Sequence, residues 1–162
     1  MTDLPGGSGR AAGGGRVLAV CLGPGGVPKR PVPAARLEQL GLVGDGHRSP
    51  AHGGARRALC LFALEDYRRL EAAGVATRGP GTFGENVLTE GLDYGVLLPG
   101  DRLRFGTEAE VEIDDFRAPC ATLRVIDPRF PDLMLGRSGF LCRVVHPGEL
   151  RAGQSVRWLR PQ

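Results

Sequence analysis

Arg102-Leu103-Arg104-Phe105-Gly106-Thr107-Glu108-Ala109-Glu110-Val111-Glu112-Ile113 reads as two strands folded about a Gly-Thr turn. Polar and apolar residues alternate in both halves, the period-two signature of a sheet with one wet face. Glycine at the reversal suits a hairpin. Working outward from this hairpin, the same signals recur. Residues 140–145 and 155–159 are expected strands, with Pro147-Gly148 as the turn between them. Toward the N-terminus, Arg16-Val17-Leu18-Ala19-Val20-Cys21-Leu22 is expected to be a buried strand, closed by Gly23-Pro24-Gly25-Gly26-Val27-Pro28. Pro31 and Pro33 keep the next segment extended, and residues 34–40 suit either a short strand or a helical turn.

Residues 58–62 are a short apolar strand candidate. Residues 64–73 read as a helix, because Leu64, Tyr67 and Leu70 recur at helical spacing and Gly74 suits its end. Residues 42–55 and 79–84 are glycine-rich loops, and a short helix over 121–125 is cut off by Asp127-Pro128 and Phe130-Pro131. Many short strands, Gly/Pro turns and one convincing helix predict a mainly β, barrel-like domain with a few helices. Residues 1–15, with six glycines, read as a flexible tail, and residues 16–162 as one domain.

Composition excludes several classes. No apolar stretch approaches the ~18 residues of a membrane span, and residues 1–15 have no apolar core of a signal peptide; a cytoplasmic protein is expected. Cys21, Cys60, Cys120 and Cys142 are scattered without a CxxC pair, which favours reduced thiols over disulfides and gives no structural zinc spacing. The net charge of +3 is spread among interleaved acids and arginines, so no nucleic-acid tract is expected. Lys29 is the single lysine against twenty arginines. An imine-forming enzyme would have to use it or the amino terminus, so pyridoxal phosphate chemistry is not expected. No GxSxG marks a serine nucleophile.

Three constellations stand out. The alternation of the hairpin's second strand breaks at Asp115-Phe116, and Arg117-Ala118-Pro119-Cys120 follows. A thiol at a strand end, three residues from an arginine, is a candidate nucleophile or soft-metal ligand; on the motif alone a small buried cysteine explains it equally well. His47, His52, Gly53, Gly54, Arg56 and Arg57 crowd one loop. Glycine N–H groups and guanidinium forks there suit an anion, although a solvated turn is the simpler account. In Gly81-Thr82-Phe83-Gly84-Glu85-Asn86, the Asn86 amide offers a donor and an acceptor, and Glu85 an acid or base; a local turn needs neither. Cys60 and Cys142 fall inside apolar strands and are expected in the core.

Taken in order, Gly41-Leu42-Val43-Gly44-Asp45, His52-Gly53-Gly54, Gly84-Glu85-Asn86, Pro99-Gly100-Asp101, Arg117-Ala118-Pro119-Cys120 and Gly139-Phe140-Leu141-Cys142-Arg143-Val144 resemble the MOSC domain, the module related to the C-terminal part of molybdenum cofactor sulfurases. Phe116 and Gly153-Gln154 depart from the common pattern. The resemblance implies a MOSC-type β-barrel that binds the pterin-based molybdenum cofactor (molybdopterin). It implies that Cys120 ligates molybdenum, with His52, Gly53, Gly54, Asn86 and Arg117 around the pocket. Arg56 and Arg57 are assigned to the cofactor's phosphate on charge alone. The implied activity is reduction of small N-hydroxylated substrates at the metal, with electrons from a separate redox partner. The alternative is a persulfide carrier, or a cofactor-delivery protein that works with a cofactor-biosynthesis partner. Neither nucleic acid nor membrane is an expected partner.

Overall fold

The computed structural model describes residues 13–46 and 53–159. In chain order it forms β1 (Gly14–Leu22), β2 (Arg30–Val32), β3 (Ala34–Glu38), β4 (Gly41–Leu42), β5 (Leu59–Ala63), helix α1 (Leu64–Ala72), β6 (Val87–Glu90), β7 (Arg102–Phe105), β8 (Ala109–Phe116), β9 (Phe140–His146), β10 (Gly148–Arg151) and β11 (Ser155–Leu159). Strands run in the order β11-β7-β8-β9-β5-β6-β1, and β11 also pairs with β1, so seven strands close into a barrel. β2 extends the sheet beyond β1, and β10-β3-β4 form a separate small sheet. Closure leaves few free edges for another chain to pair with.

The hairpin expected at Gly106-Thr107 is β7–β8, with Phe105 opposite Ala109 and Arg102 opposite Glu112. β5 and β6 pair in parallel, with Leu61 opposite Val87. Parallel neighbours need a crossover, which α1 begins. Acidic Glu65 and Asp66 occupy the first turn of α1, where they complement the helix dipole.

Two cores follow from the alternation. Inside the barrel, Val17, Val20, Leu59, Leu61, Leu103, Phe105, Val111, Ile113 and Val156 are sealed from solvent. Each such side chain contributes about 1.5–3 kcal/mol through burial. Outside the wall, Ala19, Cys21, Phe62 and Leu88 meet Tyr67 and Leu70 of α1, together with Phe83, Leu123, Phe130 and Met134. Edge-to-face rings stitch this second core, Tyr67 to Phe83 at 4.8 Å and Phe83 to Phe130 at 5.7 Å. It fixes both the 79–85 loop and the segment after Cys120.

Several expectations are corrected. β1 starts at Gly14, paired opposite Arg157, so the strand reaches two residues into the stretch read as tail. Its register slips between Val17 and Ala19, and the bulge sends Val17 and Val20 inward and Ala19 and Cys21 outward; a core covers each face, so 17–22 is apolar throughout. Of the two alternatives for residues 34–40, the structure takes the strand, over Ala34–Glu38. Pro147-Gly148 does more than turn the chain, because Gly148–Arg151 is itself a strand on β3. The short helix expected over 121–125 is present, as the 3-10 helix Ala121–Val125. Among the described residues, no helix is long and apolar enough to cross a membrane.

Candidate functional site: a thiol pocket on the barrel wall

β8 carries the first part of the site. Its pairing with β9 slips so that Ile113 faces Cys142 and Asp115 faces Leu141, leaving Asp114 as the extra residue. The bulge is the physical cause of the broken alternation, and it redirects the chain outward. The Arg117 N–H still bonds the Gly139 carbonyl at 2.9 Å. Cys120, in extended conformation, then caps the 3-10 turn whose Leu123 plugs into the second core.

The Cys120 thiol is half-buried and accepts a hydrogen bond from the Thr122 hydroxyl at 2.9 Å. That bond and the Thr122 backbone N–H hold the thiol below its ordinary range, with a smaller pull from the Arg117 guanidinium. A cavity of about 350 Å³ opens against it, lined by Arg117, Asn86, Arg57, Lys29 and, unexpectedly, Cys60. Cys142 is core as expected, but Cys60 sits on the outward face of β5. Burial pushes the Cys60 thiol up. Cys21, sealed behind the wall, is pushed up to about 12 by burial.

The floor of the cavity is a buried ion pair. Lys29 Nζ lies 2.6 and 2.7 Å from the two oxygens of Asp45. Asp45 also accepts from the Gly23 N–H at 3.1 Å and from Asn86 Nδ2 at 2.8 Å. Asn86 Oδ1 accepts from the Cys60 N–H at 3.0 Å. Both ends of the Asn86 amide are therefore engaged by protein, and the residue builds the wall. Gly81 lets the loop pass close, since a Cβ there would meet the Lys29 carbonyl oxygen at 2.1 Å. The sequence reading missed Lys29 and Asp45 as site residues. Their faint signals are a lone lysine after a glycine turn and an aspartate closing the Gly41–Asp45 piece.

Behind the wall, Glu85 is fully buried. Its Oε1 accepts from the Tyr67 hydroxyl and the Gly81 N–H. Burial pushes its carboxyl up, while those two bonds and the Arg117 guanidinium oppose the shift. Arg117 Nη2 donates to the Phe83 carbonyl.

An adjoining cavity of about 430 Å³ is lined by Gly53, Gly54, Arg56, Arg57, Asp114 and Asp115, and it shares Arg57 and Leu141 with the thiol pocket. Arg56 faces solvent and pairs with Asp114 at 3.1 Å. Thus Cys120, Arg117, Asn86 and Arg57 surround one cavity, whereas Gly53, Gly54 and Arg56 line the next. His47 and His52 lie outside the described residues. A roomier cavity of about 520 Å³ lies around Glu65, Asp93, Tyr94 and Phe140. It holds no thiol, and its Glu65 and Asp93 cap the Gly91 and Gly95 N–H groups.

The chain is thus a closed β-barrel with a thiol and a guanidinium lining one cavity of its wall. The MOSC domain model matches residues 48–157, and the chain belongs to the MOSC domain family, which is associated with molybdenum cofactor binding. The chain is 34% identical to Protein YiiM of Escherichia coli (strain K12) over 125 residues, 72% of this chain and 55% of that protein. It is 29% identical over 126 residues to a protein named "Reductase" from Gibberella moniliformis, 74% of this chain and 22% of that one. It therefore spans just over half of the first relative and under a quarter of the second. The crystal structure of YiiM from Escherichia coli superposes with a TM-score of 0.67 at 28% identity, covering 91% of this chain and 71% of that one.

The pocket's chemistry suits the family's cofactor. A thiol that ionises early is a soft metal ligand. Arg117 lines the same cavity and brings to it a guanidinium, a donor group that suits an anionic ligand.

Proposed function

We propose that this chain binds the molybdenum cofactor in the Cys120 cavity and reduces small N-hydroxylated compounds with electrons from a separate redox partner. The observation that carries the reading is the Cys120 thiol, stabilised as thiolate by Thr122 and open to a cavity that Arg117 also lines. Cys120 supplies the sulfur ligand. Arg117 and Arg57 offer cationic donors to the cofactor's anionic end. Gly53, Gly54 and Arg56 border the neighbouring cavity that a larger ligand would enter; His52, which lies outside the described residues, is proposed as a further cofactor contact. When bound, the cofactor supplies two-electron cleavage of an N–O bond. The relative named "Reductase" supports an oxidoreductase. Free cysteines at 21, 60, 120 and 142 support a reducing, cytoplasmic setting.

A second reading rests on the same thiol: an accessible cysteine that ionises early also suits a persulfide, in a sulfur carrier or a cofactor-delivery protein served by a cofactor-biosynthesis partner. One experiment orders the two. The protein is purified from a cofactor-competent host, and molybdenum and pterin are measured for wild type and Cys120→Ala. Near-stoichiometric molybdenum in wild type, lost in Cys120→Ala, is expected; wild type without molybdenum sinks the enzyme reading. Hydroxylamine reduction with an artificial electron donor then separates enzyme from carrier.

A further inference from the structure

Glu85 is fully buried, yet only one of its oxygens is engaged. Oε1 takes both the Tyr67 hydroxyl and the Gly81 N–H. Oε2 is buried with no hydrogen-bond partner among the described residues, and so is Arg117 Nη1. A buried carboxylate oxygen and a buried guanidinium nitrogen left unanswered are costly unless they answer each other. The geometry places them to do so. Arg117 reaches across to the 79–85 loop and donates through Nη2 to Phe83, two residues before Glu85. Gly84 between them carries no side chain; a Cβ there would lie 3.1 Å from Val27 and 3.8 Å from Arg117 Nη2. The guanidinium thus lies in van der Waals range of the loop backbone at Gly84. Tyr67, held edge-to-face between Phe62 and Phe83, locks the far side of the carboxyl.

We infer that Tyr67 and Glu85 form a positioning relay that holds the Arg117 guanidinium at the rim of the Cys120 cavity, so that the cavity meets an anionic group with a fixed cation. No direct hydrogen bond or ion pair joins them, so Glu85 Oε2 and Arg117 Nη1 answer each other through one ordered water. Glu85 does not touch the ligand; it acts through Arg117. The inference builds on the Cys120 cavity of the proposed function but uses neither metal nor cofactor.

The test is a pair of alkylation rates at Cys120 in cofactor-free protein, site-resolved by mass spectrometry: anionic iodoacetate against neutral iodoacetamide. Their ratio cancels the fraction of thiolate and reports the cation alone. At low salt the wild-type ratio is expected to exceed that of Arg117→Gln by about fivefold, the size of one unit charge at close range in water. Glu85→Gln sets an amide N–H against Arg117 Nη1 and is expected to bring the ratio down to that of Arg117→Gln, with the iodoacetamide rate nearly unchanged. A folded Glu85→Gln protein with the wild-type ratio overturns the inference. So does a ratio that rises, because Glu85 would then merely oppose the cation. If Glu85→Gln does not fold, Tyr67→Phe decides: a lowered ratio supports the relay, and an unchanged ratio overturns it. The alkylation is read on cofactor-free protein and the enzyme reading on molybdenum content, so failure here and failure of that reading are separate outcomes.

Discussion

A threonine two residues after a cysteine sets the chemistry of this site. The Thr122 hydroxyl bonds the Cys120 sulfur at 2.9 Å and is the main reason that its thiol ionises below the ordinary range. The sign is direct: a lowered thiol pKa means that thiolate, and hence alkylation, appears at lower pH. Thr122→Val keeps shape and loses the donor, so the midpoint of Cys120 alkylation against pH is expected to move upward; an unmoved midpoint would assign the effect to Arg117 and the backbone. Cys21, pushed up to about 12 by burial, is expected to stay unreacted throughout.

The Lys29–Asp45 pair gives a stability prediction, since both side chains are almost wholly buried. Asp45→Asn strands a buried ammonium and is expected to cost about 3–5 kcal/mol in urea unfolding. Lys29→Met with Asp45→Leu is expected to cost clearly less than that, because no charge is left unpaired. Neither partner is readable as a site residue from sequence, since their meeting depends on how two loops cross. That Cys120 and Arg117 would line one cavity was legible, because they sit three residues apart in one motif.

Among elements, the turn and flanking register of the hairpin β7–β8 were legible, because its two-residue period and its turn are both local. Elements shaped by bulges were not. β1 concealed its inside–outside pattern behind a slipped register, and β8 ran on to Phe116 past the point where its alternation failed. Cys60 was misread for a related reason: Leu59, Cys60 and Leu61 are all apolar, yet only Leu59 and Leu61 face the barrel interior, and Cys60 lines the pocket. Close passages between elements are also invisible in sequence. Gly139 leads into β9 with φ +87°, and a Cβ there would lie 1.9 Å from the Leu61 carbonyl oxygen. Gly139→Ala is therefore expected to cost about 3 kcal/mol or more, from strain and forced separation of β5 and β9. Gly136→Ala, also at positive φ but with open space around its Cβ, is expected to cost about 1 kcal/mol. Comparing the two melting midpoints checks the ranking.

For the molecule as a whole, closure is decided by its two ends. Gly14, Gly15 and Arg16 pair with Arg157, Val156 and Ser155, and the other edge of β11 pairs with β7. No spacing rule links residues so far apart, so the barrel class was readable but its closing seam was not. Ending the chain before Ser155 would expose the edges of β1 and β7 and uncover Phe105 and Val17. Such a truncated chain is expected to lose its cooperative thermal transition and to aggregate, as calorimetry and size-exclusion chromatography would show.

The Lys29–Asp45 pair also governs how the protein can be handled. Lys29 is the single lysine in the chain, and only 7% of its surface is exposed. Amine-directed dyes, cross-linkers and surface immobilisation would find no side-chain amine on the folded molecule. A lysine-specific protease would find its one cleavage site locked in the floor of the pocket. Cutting at Lys29 would thus report opening of that floor, giving a label-free clock for site unfolding whose pace any tightly bound ligand of the cavity should slow.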